Sequence, residues 1–401
     1  MVNILKESSA SASDTEPIEN SMKERRAVLF QGALTAVIFA AIFAAYGIWQ
    51  GDRFLNVEAR LLDVHQSVPV LFLGLAVLVT LICGLFDLSV ASTATLSMYL
   101  TIGLTVKQGW PLSVALVTCI AIGVLVGVIN AVLVEMLNVN TFIATLGTGS
   151  VVGGFAAVYS GGSAIVPGPS DPLPTWFLQY GSYNYKPPLV LVWLLVAAAV
   201  VGAFLALDWF KPARMSTQLW WASKAAVIVA AAVIGVLFFD LESWILDLPW
   251  SVTVLLLIAV AVWILLDQTV FGRNLYAVGS NRDAARLAGV RVTKEVLKAF
   301  VLGGVLASCA GITFAASAGS ASTDAGSAYL LPAFSAAFLS TVVFSTGRFS
   351  VLGTIVGGIF VVWTGIGLVI GGLPNTWSSV VNGFVLIFAV AFATYARRRA
   401  T

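Results

Sequence analysis

The chain has 401 residues, 59% of them hydrophobic and only 10% charged, with a formal net charge of +2. Soluble globular proteins hold about 25% charged residues. The mean hydropathy is +0.97, and the apolar residues gather into long uncharged blocks, which marks a membrane class. A soluble enzyme, a nucleic-acid binder and a secreted disulfide scaffold are excluded.

Residues 1–22 are polar, rich in Ser and Glu, and are predicted to form a disordered cytoplasmic tail. Residues 23–401 then read as one transmembrane domain. A helix crossing the bilayer needs about 20 apolar residues. The block 27–51 is longer than the h-region of a signal peptide, and its polar flank is acidic as well as basic. It reads as a retained first span. Further blocks free of Asp, Glu, Lys and Arg cover 64–86, 88–106, 108–134, 136–170, 187–207, 225–239, 248–266, 299–323 and 325–347. The 349–396 block is long enough for two spans. The expected fold is an all-α polytopic membrane protein of about 10–12 transmembrane helices, with broken helices near Asp87 and Gly347. With twelve spans and a cytoplasmic N-terminus, the 21 Lys and Arg residues all fall inside except Arg53, Arg60, Lys107 and Lys186. This is the positive-inside pattern of an inner-membrane protein, with both termini cytoplasmic. The short 225–239 block is needed for that parity.

Cys83, Cys119 and Cys309 each lie inside apolar blocks, without metal or redox spacing, and read as small buried hydrophobes. His65 has no local carboxylate or cysteine cluster and reads as a satisfied interfacial side chain.

Three places depart from plain spans. Gly84-Leu85-Phe86-Asp87-Leu88-Ser89-Val90 places a carboxylate amid apolar residues, at a cost of roughly 2.5–3.5 kcal/mol on insertion scales. Either Asp87 sits at a tight cytoplasmic turn, or it lines a cavity beside a helix break. It is also placed to cap the helix that follows. The stretch from Asn138 through Phe142, with Thr145, Gly147, Thr148, Gly149 and Ser150, suits close helix packing or a polar path. Phe344-Ser345-Thr346-Gly347-Arg348-Phe349-Ser350-Val351 loosely repeats the first break, as two related transporter halves do. The paired glycines Gly153-Gly154, Gly303-Gly304 and Gly357-Gly358 read as helix crossings. The Gly/Pro-rich segment 161–188 is too irregular to cross lipid and is placed outside as a loop.

The longest charged interruption between spans is 268–298. Ser280 and Asp283 have capping-box spacing, Arg282 and Arg286 share a helix face, and Gly289 is a C-terminal stop. A helix of about eight residues needs a support. It either docks into a groove on a partner or lies on the lipid headgroups.

The run Gly272, Arg273, Tyr276, Ala277, Gly279, Asn281, Ala284, Ala285, Arg286, Leu287 and Gly289 resembles the cytoplasmic coupling-loop signature of bacterial ABC-type sugar import permeases, in the ribose/xylose/galactose branch. Phe86-Asp87-Leu88-Ser89-Val90 and Thr141 to Gly147 are similar to two other elements of that family, and Asn382-Gly383 resembles its last span. The added length at 208–248 looks like the xylose-type permeases. The chain departs from the family's Gly-rich pattern over 338–351, where most of the glycines are missing.

This resemblance implies a permease subunit of an ATP-driven importer for a monosaccharide, a pentose such as D-xylose being expected. It implies a permease homodimer, separate ABC ATPase subunits and an extracytoplasmic sugar-binding protein. The chain has no Gly-Lys pair and hence no P-loop. It is expected to bind no cofactor, with ATP and Mg used by the partner, and to be no enzyme. The implied ATPase-coupling residues are Gly272, Arg273, Tyr276, Gly279, Asn281, Ala284, Ala285, Arg286, Leu287 and Gly289. A neutral polar solute needs hydrogen-bonding groups and aromatic faces; Asp87, Ser89, Asn130, Phe142, Thr145 and Asn382 are the expected lining. The alternatives are an ion-gradient-driven secondary sugar transporter, with Asp87 as its titratable group, and a non-transporting membrane scaffold.

Overall fold

The computed structural model describes residues 39–206, 221, 223–225, 245–323, 325–343, 348–374 and 376–400. The predicted tail, residues 226–239 of the short predicted span, and Gly347 lie outside the described residues. Ordered along the chain are α1 (Phe39–Gln50), α2 (Val57–Ile82), α3 (Val90–Val106), α4 (Leu112–Met136), α5 (Thr141–Ser160), α6 (Thr175–Gly181), α7 (Leu189–Ala206) and α8 (Trp250–Gln268). Then follow α9 (Val270–Ser280), α10 (Arg282–Leu287), α11 (Val292–Ala318), α12 (Leu330–Val343), α13 (Val351–Ile370) and α14 (Thr376–Ala400). Six of these, α2, α4, α5, α8, α11 and α13, are long and apolar enough to cross a membrane. Outside the masked segments, each uncharged block of the sequence contains a helix, so the all-α polytopic architecture is as expected.

From Val68 onward helix α2 is apolar all round, and such a helix belongs inside a bundle. From Val64 to Ile82 nearly every residue is buried. It forms a spine with α11. Helices α3, α4 and α5 pack on one flank, and α12, α13 and α14 on the other. The outer faces carry exposed apolar side chains such as Val117, Leu125, Val151, Phe155 and Val158, which is how a surface meets lipid tails rather than water.

Small residues set the crossings. A Cβ at Gly304 would collide with the Gly123 carbonyl, and one at Gly311 with the Ala94 carbonyl. Ser308 sits at the same seam, accepting from Ser97 Oγ at 3.1 Å and donating to the Cys119 carbonyl at 2.9 Å. Apolar surface gives little drive for association inside lipid, so helices join by close backbone approach and buried hydrogen bonds. The paired-glycine reading of the sequence is therefore correct at Gly303-Gly304. At Gly357-Gly358, Cβ atoms would press on Leu339 and Leu71.

The segment 161–188 differs from a plain loop. It contains α6, whose Phe177 is buried and whose Gly181 abuts the Ala316 carbonyl. Ile165 also pairs with Ala321 in an isolated antiparallel bridge. The segment is a packed cap at the end of α11 opposite the charged loop. His65 is satisfied, its Nδ1 lying 2.7 Å from Ser251 Oγ on α8.

Gly123→Val and Gly304→Val are expected to lower stability by about 1–3 kcal/mol each through overpacking. Gly154→Val, which meets nothing within 4 Å, should be tolerated. Melting temperatures of the detergent-solubilised variants check this contrast.

Candidate functional site

Between α2 and α3 the helix breaks over residues 83–89. Helix α3 has 17 residues, or about 26 Å, short of the ~30 Å hydrocarbon core. The extended break makes up the difference. Asp87 lies inside the bundle: a Cβ on Gly303 of α11 would stand 4.0 Å from its Oδ2. The side chain is 1% exposed. Of the two sequence readings, the buried break replaces the turn at the surface.

Backbone freed from a helix inside a bilayer must find partners in the protein. The Asp87 carboxylate accepts from the Ser89 amide at 2.9 Å and from Ser89 Oγ at 2.6 Å. Ser89 Oγ in turn accepts from Asn130 Nδ2 of α4 at 2.8 Å. Thr145 Oγ1 of α5 donates to the Phe86 carbonyl at 3.1 Å. Asp87 thus fastens the first turn of α3 by bonds to the residue two positions on, and its charge faces the helix's positive end. Four of the six expected lining residues, Asp87, Ser89, Asn130 and Thr145, are brought together and buried. The Asn130 amide oxygen is buried without a hydrogen-bond partner among the described residues.

The other two lie elsewhere. Phe142 is 53% exposed near the start of α5. Asn382, on α14, accepts from Ser335 Oγ through its carbonyl at 3.3 Å, at a separate crossing with α12. The Asn138–Ser150 stretch is chiefly packing and capping: Asn140 caps α5 by accepting the Phe142 amide, and Gly149 lies against Ser89.

Sequence reasoning missed an aromatic link. Phe86, in the break, stacks with Phe334 at 6.1 Å between ring centroids and reaches Phe338 at 6.3 Å. Phe338 meets Phe349 at 5.7 Å. The first break therefore touches the residues that flank the second across these rings. The ring spacing along α12, Phe334 and Phe338 at i and i+4, was the available signal. A separate groove of about 680 Å³ between α3, α4 and α5 is lined by apolar residues such as Leu100, Leu125, Ile143, Val152 and Phe155. It suits lipid chains and offers a polar solute little.

The charged loop folds as two helices, α9 and α10. The capping residue is Asn281 rather than Ser280: its side chain accepts from the amides of Asp283 and Ala284 at 3.0 and 2.9 Å. Gly289, at φ +85°, ends α10 as a glycine stop does, with the Val290 amide reaching back to the Ala285 carbonyl at 3.0 Å. Much of the sequence signature is internal scaffolding. A Cβ at Gly272 would strike the Leu266 carbonyl, and one at Gly279 the Ile82 carbonyl. The Tyr276 hydroxyl donates to the Phe349 carbonyl at 2.7 Å, and the Arg348 guanidinium lies 4.2 Å above its ring. Burial, aided by Asp267 and opposed by Arg348, pushes that phenol up to about 12, so it stays a donor at neutral pH. Ala285 is buried against the bundle.

The remaining residues face outward. Leu287 is 90% exposed, and Arg273, Ala284, Arg286 and Ala288 are exposed. Arg286 and Asp283 stand 3.8 Å apart as an exposed pair, which contributes little and leaves both free to engage a partner. Arg282 and Arg286, expected on one face, are divided. Arg282 turns inward to Glu135 of α4, whose side chain is 6% exposed. Only the fold shows what Glu135 meets.

Asp87→Ala should destabilise the protein by about 2 kcal/mol or more, because it removes two bonds to a charged acceptor. Asn130→Leu should cost less. Thermal unfolding of the purified variants measures both.

Residues 64–390 match the family described as branched-chain amino acid transport system / permease component. The chain is 26% identical over 381 residues to the xylose transport system permease protein of Haemophilus influenzae, covering 94% of this chain and 100% of that one. It is 24% identical to the fructose import permease protein of Rhizobium meliloti, covering 91% and 86%. It is 29% identical to the galactose/methyl galactoside import permease protein of Escherichia coli K12, covering 72% and 69%. No solved structure matches the chain.

Proposed function

The chain belongs to this permease-component family, and from that premise we propose that it is the membrane-spanning subunit of an ATP-driven importer for a monosaccharide, a pentose such as D-xylose. The observation that carries the reading is the loop. It is a capped, glycine-stopped helix, braced on the bundle by Ala285 and presenting Ala284, Arg286, Leu287 and Ala288 outward. A small apolar patch edged by arginine suits a groove on a second protein. Since the chain has no P-loop sequence, work from ATP has to arrive through a contact of this kind.

A neutral polar solute would need hydrogen-bonding groups and aromatic faces. In this conformation Asp87, Ser89, Asn130 and Thr145 are buried and bonded among themselves and to the backbone, and Phe86 is the exposed ring beside them. The pentose preference is supported by the xylose-permease similarity and the added 208–248 length; relatives named for fructose and galactose leave the sugar as the part to be measured. Two permease chains, two ATPase subunits, an external sugar-binding protein and an inner-membrane location with cytoplasmic termini complete the proposed assembly. In it the chain itself holds no cofactor.

Proteoliposomes containing the chain with its proposed ATPase and sugar-binding protein are expected to accumulate labelled xylose only with ATP. Concentrative uptake by the chain alone, driven by an ion gradient and abolished by Asp87→Asn, would favour the secondary-transporter reading instead. Arg286→Glu is expected to leave the protein in the membrane and to weaken ATPase binding about tenfold or more. Pull-down of the ATPase and uptake assays on the same preparation test that outcome.

A further inference from the structure

Glu135 is the acidic residue of the π-turn Val132–Met136 that closes α4. Its side chain is 6% exposed and is paired with Arg282, the first residue of α10. A carboxylate this buried beside an apolar helix end needs a countercharge. Arg282 gives it one terminal nitrogen, while the guanidinium Nε is buried with no partner among the described residues. The Arg282 side chain is itself 41% exposed, and its pairing with Glu135 ties the start of α10 to the end of α4.

From that point a short bonded route leads inward. Asn130 lies five residues before Glu135 on the same helix and donates to Ser89 Oγ, which donates to Asp87. A second contact grips the other end of the break: Gly279 of α9 abuts the Ile82 carbonyl. The loop thus reaches the break at one end by contact with Ile82 and at the other through the α4 backbone between Glu135 and Asn130. Each side also includes a wide turn, since α4 ends in the π-turn Val132–Met136 and α8 ends in the π-turn Ile264–Gln268 just before α9. π-Turns loosen helix register and gather at working parts of proteins.

We propose that the Arg282–Glu135 pair is the strut through which displacement of α10 reaches the Asp87 break, making both side chains positioning residues for transport. The proposal rests on the importer reading. In this scheme the outward residues of α10 receive the push, and Arg282 passes it to the end of α4. Asn130 then shifts Ser89 and Asp87, and with them the start of α3.

The test uses the full complex in proteoliposomes and counts ATP hydrolysed per sugar moved. The wild-type complex serves as the control for the importer reading: if its uptake needs no ATPase, that reading fails before the strut is tested. Glu135→Gln and Arg282→Gln keep side-chain length and remove the pairing. Each is expected to retain the ATPase and its hydrolysis while the ATP consumed per sugar rises about tenfold or more. The double variant Arg282→Glu/Glu135→Arg should bring the ratio back toward wild type. An unchanged ratio in Glu135→Gln and Arg282→Gln overturns the proposal, because a brace for folding alone would leave stoichiometry untouched. Should Glu135→Gln fail to accumulate, Glu135→Asp carries the test, keeping the charge but withdrawing it by one methylene. A raised ratio supports the strut and a wild-type ratio overturns it.

Discussion

A helix interrupted inside a bilayer leaves backbone groups that lipid cannot satisfy, and the arrangement around residues 83–89 answers that constraint. Asp87 supplies a charge and two acceptor sites, Ser89 bridges, and Asn130 and Thr145 reach in from neighbouring helices. The break is tolerable because it is enclosed: α11 covers it through Gly303, and α5 through Gly149. A Cβ at Gly149 would stand 3.3 Å from Ser89 Cα, and one at Gly303 3.3 Å from the Ala76 carbonyl, so small residues keep both helices close. The small-residue crossings and the polar cluster are therefore one device. Close packing excludes lipid, and exclusion of lipid lets a carboxylate remain at depth.

The same geometry explains why the charged loop is not a loose connector. Short helices do not persist in water by themselves. Here Gly279 presses α9 onto the end of α2, Tyr276 fastens it to Phe349, and Arg282 fastens α10 to α4. A rigid mounting of this kind transmits displacement instead of absorbing it. The exposed side of α10 is broad, since Ala285 alone among its central residues is buried while Asp283, Ala284 and Arg286 are exposed.

Much of this was legible in the sequence, for physical reasons. Uncharged runs of about 20 residues have few alternatives to a membrane helix, so the helices fall where the blocks do. A lone Asp amid apolar residues had to be either at a surface or enclosed, and Gly84 with Ser89 marked the interruption. What could not be read was which distant groups meet. Asn130 and Ser89 are 41 residues apart and Arg282 and Glu135 are 147 apart, and no periodicity encodes such pairings. The cap at Asn281 rather than Ser280 is a smaller case. Both residue types cap well, and the choice follows from α9 continuing through Ser280, which spacing alone does not reveal. Phe142 and Asn382 were selected by type and by resemblance, and the fold puts them away from the Asp87 cluster.

The departure from the family pattern over 338–351 acquires a meaning from the aromatic contacts. Where the resembled signature is rich in glycine, this chain places Phe338 and Phe349, which meet each other, while Phe86 of the first break reaches Phe338. Glycines permit close backbone approach and easy bending. Rings instead keep backbones apart and fill the space with side-chain surface, and offset or edge contacts between them add attraction beyond burial. Arg348 extends that packing by lying over Tyr276, whose hydroxyl holds the Phe349 carbonyl. One set of rings then links the first break, the residues flanking the second and the loop helix α9. A movement of α9 has to be accommodated by all three, which makes the aromatic junction a constraint on how the two sides of the bundle can separate.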